Sequence, residues 1–293
     1  MGKMRIKTCF QADIVYHMLA HMDVQGNPSN LFSPSYIHKI SEAKTSYAPC
    51  LEVAMESLRE YYNRHFERLC VVNFLPYYTE GVDGLIVALK NYPTFTLEDK
   101  KRFVDPFVTL LTREREQFYE VYWRESLASN ARNMEEFEKY LCKHLAPLGL
   151  LFHNSNLRPN VFISLSMTTF GRGFGMEGFL SASVPLPMGP VEYEDAFFQV
   201  VHEFTHQLTD SLLESAITMD DGSHALSESL AIVGDYYLFQ RLSLEKTKNY
   251  LEWVSRADQN NEKPVASLSD AFPLSEKLDL SLRDLVDQLC RLS

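Results

Sequence analysis

The chain has 293 residues, 45% of them hydrophobic, which is enough to bury the core of one large domain or two ordinary ones. Its 39 acidic residues exceed its 28 basic residues, and the net charge of -11 argues against a nucleic-acid-binding surface. We find no apolar run that predicts a transmembrane helix and no signal-peptide pattern, so we expect no membrane partner. The five dispersed cysteines favour reduced thiols and a cytoplasmic location.

The first half of the chain has mainly helical patterns. In chain order, the predicted elements are a short strand at 4–10, a helix at 11–23, a loop at 24–37, a helix at 50–70 and two or three helices within 98–145. Charged runs in the last of these segments are typical of a solvated helix face. We predict that residues 1–150 form a mainly helical N-terminal lobe.

The pattern changes near residue 150, where β-prone segments begin. Residues 160–166 and 178–184 predict a hairpin or two neighbouring strands, joined by a long, mobile, glycine-rich connection. The helices predicted after them cover about 193–213, 224–241 and 244–257. The predicted fold class is therefore α+β and predominantly helical, with a small β-sheet in a second lobe at 151–293.

The motif that carries chemistry is His202-Glu203-Phe204-Thr205-His206, an HExxH. Residues four apart lie on one face of a helix, so His202 and His206 can present two imidazoles to one ion. Glu203 is then placed to take a proton from a water molecule at that ion. Zinc suits two neutral imidazoles and a carboxylate, with the fourth position left for water. The alternative interpretation is a pair of hydrogen-bonded histidines without any metal.

A third zinc ligand has to come from elsewhere in the chain. Asp210 lies one turn beyond His206, and we expect it to be too far along the same helix. Glu228 lies in an otherwise apolar helix, where an ionised carboxylate needs a cation nearby. We prefer Glu228 to three competitors, of which the first points away along the helix of His206, the second lies in a polar turn and the third can face solvent. These are Glu214, Asp221 and His224.

HEFTH with 21 residues between His206 and Glu228 resembles the gluzincin zinc metallopeptidases, in which a second helix donates a glutamate. The resemblance covers about 45 residues and implies a zincin-like, thermolysin-like C-terminal lobe that takes a peptide or protein substrate. It implies His202, His206 and Glu228 as zinc ligands and Glu203 as general base. The family often has an aspartate four residues after the ligand, where this chain has Ile232.

The resemblance to gluzincins also bears on three other parts of the chain. Asp235 lies on the stripe of Glu228 but one turn too far to replace the missing aspartate with ease. The strand at 178–184 is expected at the sheet edge that binds extended peptide. The segment 175–178 (GMEG) is weakly similar to a substrate-binding element of aminopeptidases, and its alternative is a flexible loop.

Several side chains could stabilise the oxyanion of a tetrahedral intermediate, and the sequence does not choose among them. The candidates are Tyr193, His224, Tyr236 and Tyr237. The function that we predict is a zinc-dependent metallohydrolase, most simply a peptidase. One alternative is a non-catalytic zincin-fold binding protein, with or without zinc, and another is a helical protein with a coincidental HExxH.

Overall fold

The computed structural model describes residues 6–22, 34–44, 51–146, 148, 158–167, 171–216, 223–257 and 268–291. The strands are β1 (Ile6–Thr8), β2 (Arg158–Ser164), β3 (Arg172–Met176) and β4 (Phe179–Pro185). The helices of the first half are α1 (Phe10–His21), α2 (Pro34–Ala43), α3 (Leu51–Arg64), α4 (Phe66–Leu69), α5 (Gly81–Asn91), α6 (Leu97–Asp99), α7 (Asp105–Glu114) and α8 (Glu120–Leu145). The remaining helices are α9 (Pro190–Ala216), α10 (Ser223–Leu242), α11 (Leu244–Ala257), α12 (Leu268–Ala271) and α13 (Glu276–Arg291).

Short irregular turns connect the helices of the first half. Two 3₁₀ turns (Cys70–Asn73 and Leu75–Tyr78) follow α4, and two π-helical turns (Lys100–Val104 and Arg115–Tyr119) flank α7. The predicted α+β, predominantly helical fold class is confirmed. Among the described residues, no helix combines the length and the apolar character that crossing a bilayer requires. Residues 24–33 of the predicted loop lie outside the described residues, and residues 34–37 belong to α2, so the loop prediction is wrong there.

The sheet has four strands in the order β1-β2-β4-β3. The first three strands of that order run parallel, and β3 pairs antiparallel with β4 at the sheet edge. The two β-prone segments are therefore parallel neighbours rather than a hairpin. The described part of the glycine-rich connection forms β3, so the prediction of a long mobile connection is wrong there. The positive φ of 75° at Gly178 allows the tight turn from β3 into β4.

The sheet lies between two hydrophobic cores. One face, including Phe162 and Phe174, packs against aromatic residues from the N-terminal helices. The other face, including Val161 and Ala182, packs against α9 and the helices that follow it. Helix α8 contributes Phe137 to this second core, so the cores do not divide at a single position in the chain. Side chains alternate between the two faces along each strand, and those of the second face pack against α9. The helix that carries the HExxH therefore lies directly against the sheet.

Candidate metal centre

Helix α9 fixes the HExxH motif by burying its apolar residues on both sides of the motif. Phe198, Val201 and Phe204 are each at most 2% exposed and belong to the core under the sheet. Their side chains prevent rotation of the helix about its axis. The polar residues of the motif are therefore held on the face of α9 that looks toward α10 and β3.

Three side chains converge at this face. His202 Nε2 lies 3.1 Å from His206 Nε2 and 3.4 Å from Glu228 Oε2, and His206 Nε2 lies 3.5 Å from Glu228 Oε1. Their side chains are 13%, 19% and 38% exposed in the order His202, His206 and Glu228, so solvent reaches the group. The structure thus brings together the three predicted ligands, which could hold a metal ion.

Each histidine is oriented through its other ring nitrogen. His202 Nδ1 lies 3.0 Å from Asp235 Oδ2, and His206 Nδ1 lies 3.0 Å from Ser227 Oγ. Asp235 is fully buried and also accepts hydrogen bonds from the hydroxyls of Tyr250 and Thr205. With Nδ1 of each ring engaged, the Nε2 atoms remain directed toward Glu228.

The expectation that Asp235 lies too far from the site is wrong. Asp235 lies seven positions after Glu228, which is about 10 Å along a helix axis. The imidazole of His202 bridges this distance, since its two nitrogens point in opposite directions toward two turns of α10. The sequence signal was available: Asp235 is a second carboxylate on the apolar stripe that carries Glu228.

Glu203 stands apart from the three converging side chains. Its Oε2 accepts a hydrogen bond from the backbone N–H of Gly173 in β3, at 2.6 Å. A Cβ atom at Gly173 would lie 2.9 Å from the same oxygen, so only glycine allows the strand to approach this closely. Burial raises the pKa of Glu203, although the positive charge of His202 and the Gly173 N–H oppose the shift. This environment makes the carboxylate a better proton acceptor.

The ligand group has a definite charge arrangement. Burial disfavours the charged form of His202, but hydrogen bonds to Asp235 and Glu228 outweigh it and raise its pKa well above the usual value. Burial and the nearby His202 lower the pKa of His206 to about 4, so its imidazole is neutral at neutral pH. Burial by itself would raise the pKa of Glu228, but the hydrogen bond to His202 and its positive charge outweigh burial and lower this pKa to about 2. Without a metal ion the positive charge between these residues is therefore the protonated His202 ring, which lies beside the ionised Glu228.

Three of the four competing ligands lie within the described residues. His224 is exposed, with Nε2 3.9 Å from Glu228 Oε1, and Asp210 and Glu214 are exposed on α9. Asp221 lies outside the described residues. Within the described ranges, neither Asp210, Glu214 nor His224 belongs to the converging group.

Three of the four candidate oxyanion residues make contacts with residues outside the ligand group. The hydroxyl of Tyr193 donates to Asn133, and that of Tyr237 donates to Asp279. The ring of Tyr236 lies against that of Tyr237. His224, through its contact with Glu228, is the member of the four that the structure places beside the ligands.

The expectation about the edge strand is wrong. The strand at 178–184 corresponds to β4, which lies between β2 and β3, so the edge strand nearest Glu203 is β3 instead. The glycines at 173 and 175 are the reason that the sequence did not predict β3 as a strand. Glu177 of the GMEG segment lies in the exposed turn between β3 and β4.

Comparisons of the whole chain with models of protein families, with curated proteins and with solved structures give no match.

Proposed function

We propose that the protein is a zinc-dependent metallohydrolase that cleaves peptide bonds, with a thermolysin-like, gluzincin arrangement in its C-terminal lobe. His202, His206 and Glu228 would hold the zinc ion, and Glu203 would act as general base. The observation that carries the proposal is the convergence of the first three side chains while Glu203 is held apart from them by Gly173. The dispersed cysteines support a cytoplasmic location.

The distances within the ligand group fit zinc. Two donors bound to one tetrahedral zinc ion are about 3.3 Å apart, since each lies about 2.0–2.1 Å from the metal. The two imidazole nitrogens are 3.1 Å apart, and each lies 3.4 or 3.5 Å from a different carboxylate oxygen of Glu228. The donors are also chemically suitable, because two imidazoles and one carboxylate are a common set in catalytic zinc sites.

The proton balance of the group supports the same assignment. Hydrogen bonds to Asp235 and Glu228 raise the pKa of His202, and His202 lowers the pKa of Glu228, so the ring is protonated beside an ionised carboxylate when no metal is bound. A metal displaces such a proton, since a histidine ligand has to be deprotonated. Asp235 then keeps its role, because a buried carboxylate that accepts from Nδ1 fixes the ring and increases its basicity.

Bound zinc would supply Lewis acidity toward a carbonyl group and lower the pKa of a water molecule. The chain supplies the proton transfer. One oxygen of Glu203 is held by Gly173, which leaves the other to accept a proton from the attacking water and to return it to the leaving amine. The raised pKa of Glu203 suits both proton transfers, since a carboxylate with a very low pKa accepts protons poorly.

The edge strand β3 supports a peptide as substrate. Extended peptides bind sheet edges through backbone hydrogen bonds, and β3 is the edge strand beside Glu203. The Gly173 N–H donates to Glu203, and the Gly175 carbonyl accepts from the hydroxyl of Tyr78. A peptide that pairs with β3 would therefore compete with Tyr78 for the Gly175 carbonyl.

The test combines metal analysis with peptide cleavage. Protein purified without chelator is expected to hold one zinc ion that the His206→Ala, Glu228→Ala double variant loses. It should cleave members of a quenched-fluorescence peptide library. Glu203→Gln should keep this zinc and lose about 100-fold or more of the cleavage rate. Glu214→Gln, at an exposed position of the same helix, is the matched control and should cleave normally.

Two results would contradict the proposal. Zinc at this centre without cleavage of any library member would favour the alternative of a non-catalytic zinc-binding protein. No difference in zinc content between the wild type and the double variant would leave the HExxH as a coincidence in a helical protein.

A further inference from the structure

A second group of potential metal ligands lies in the N-terminal half, away from the site described above. His17 and His21 are four residues apart on α1, and Glu114 is the last residue of α7. These residues are 0%, 8% and 2% exposed in that order, so the group is buried. It repeats the chemistry of the HExxH centre, since two histidines of one helix face a glutamate from another.

The geometry places one donor atom of each residue within reach of a common ion. The three donor atoms all lie within 4.8 Å of one another. His17 Nε2 lies 2.9 Å from Glu114 Oε1, and the ring centroids of His17 and His21 are 4.7 Å apart. His17 is oriented by its other nitrogen, since Nδ1 lies 3.0 Å from the hydroxyl of Tyr36.

His21 is the observation that calls for a ligand. Neither of its ring nitrogens has a hydrogen-bond partner within the part of the chain that the structure describes, although both atoms are buried. A buried polar atom without a partner is costly, and native proteins rarely keep two on one side chain. The residue is only 8% exposed, so solvent compensates little of this cost. A metal ion bound to one nitrogen would remove much of it.

A cation already lies at Glu114. Lys44 Nζ is 2.6 Å from Glu114 Oε1, and the Lys44 side chain is 12% exposed. The site therefore attracts positive charge. The ammonium group of Lys44 contacts the same carboxylate oxygen of Glu114 that His17 contacts. Lys44 cannot satisfy His21 in this arrangement, since no hydrogen bond between the two is formed. A divalent ion could serve His17, His21 and Glu114 together.

We propose that His17, His21 and Glu114 form a second, structural site for a divalent transition-metal ion such as Zn²⁺, at which Lys44 is a built-in competitor. Imidazole and carboxylate donors suit zinc, and burial excludes a substrate, so the ion would join α1 to α7 rather than catalyse a reaction. The proposal does not rest on the peptidase activity.

The experiment uses the full chain with the first centre disabled by His206→Ala and Glu228→Ala, which leaves the His202–Asp235 pair intact. Titration with Zn²⁺ should then show about one ion per chain, and Co²⁺ should give the visible absorption of a low-symmetry site. Adding His21→Leu should weaken zinc binding by about 100-fold or more, since a ligand is lost. His38→Leu, at an exposed histidine of α2, is the matched control and should change nothing.

Lys44→Met supplies a test that does not depend on the folding of a core variant. Removal of the competing ammonium should strengthen zinc binding by about tenfold or more. The proposal is overturned if the His206→Ala, Glu228→Ala protein takes up no zinc. It is also overturned if neither His21→Leu nor Lys44→Met changes the zinc affinity of that protein. If His21→Leu does not fold, the Lys44→Met result decides. Failure here leaves the HExxH centre untouched, because that centre is measured by the difference between wild type and the double variant.

Discussion

His202 and Asp235 form the contact that joins the two helices of the candidate metal centre. The Nδ1 atom of His202 lies 3.0 Å from Asp235 Oδ2, and the carboxylate is completely buried between α9, α10 and α11. Tyr250 of α11 donates a second hydrogen bond to the same oxygen at 3.0 Å. The orientation of a predicted ligand thus depends on residues from three helices.

Asp235→Asn is expected to weaken zinc binding at the HExxH centre by about 10- to 100-fold, because the neutral amide no longer increases the basicity of the His202 ring. Tyr250→Phe removes one hydrogen bond from Asp235 and should have a smaller effect in the same direction. Competition with a chromophoric zinc chelator measures both. Equal affinity in wild type and Asp235→Asn would show that Asp235 does not support the ligand.

Glu228→Ala should weaken zinc binding strongly, while His224→Ala should leave it nearly unchanged. Glu228 lies within 3.5 Å of both histidines, whereas His224 is 67% exposed and contacts only Glu228 within the group. The same chelator competition ranks the two variants. The reverse order would make His224 the third ligand and remove the gluzincin arrangement.

Gly173→Ala should reduce peptide cleavage by about tenfold or more with little change in zinc content. The new methyl group would lie 2.9 Å from Glu203 Oε2 and 3.1 Å from the Glu203 carbonyl, so the carboxylate or β3 has to move. A displaced base lowers the rate without removing a ligand. The control is Gly175→Ala in the same strand, where a Cβ atom meets nothing within 4 Å. Equal losses in both variants would indicate a general effect on the strand.

Gly234→Ala should lower the free energy of unfolding by about 1–3 kcal/mol, because α9 and α10 pack too closely for a methyl group. A Cβ atom there would lie 2.9 Å from Thr205 Cγ2. Thr205 cannot rotate away easily, since its hydroxyl bonds to Val201 and Asp235. Gly84→Ala in α5, with its nearest contact at 3.8 Å, should instead stabilise by about 0.5–1 kcal/mol. Urea denaturation of the two variants checks the opposite signs.

Asp99→Asn should destabilise the protein at neutral pH, and the difference from wild type should shrink in acid. Hydrogen bonds from Arg68 hold the pKa of Asp99 well below its ordinary value of 3.8, and Thr96 adds to the shift. A lowered pKa in the folded state contributes stability that is complete above the ordinary value and is lost as the pH falls below it.

The measurement for Asp99 is the free energy of unfolding of both proteins between pH 7 and about pH 2. Asp83→Asn is the control, since that side chain is 92% exposed beside Arg115 and should contribute little. A difference between Asp99→Asn and wild type that stays constant down to the lowest pH would contradict the assignment.

The fold could be predicted in part. The strands at 158–164 and 179–185 and the three helices from 190 to 257 follow from hydrophobic periodicity, and the structure has them close to the predicted bounds. Strand β3 was missed because glycine, which alternates at 173 and 175 with the apolar Phe174 and Met176, is depleted in strands. Its antiparallel pairing with β4 depends on the turn at Gly178, which leaves no periodic signal.

The sequence by itself determined which side chains of α9 and α10 are candidates to share a metal ion. Helical geometry predicts that His202 and His206 share one face of α9. The cost of burying charge predicts that Glu228, in an apolar helix, has a cation nearby. The tertiary structure alone decided that Asp235 orients His202 and that Gly173 holds Glu203. The physical reason is that periodicity fixes the face of a helix but not its axial offset against a neighbour. That offset is set by side-chain packing across the core, and it decides which atoms meet.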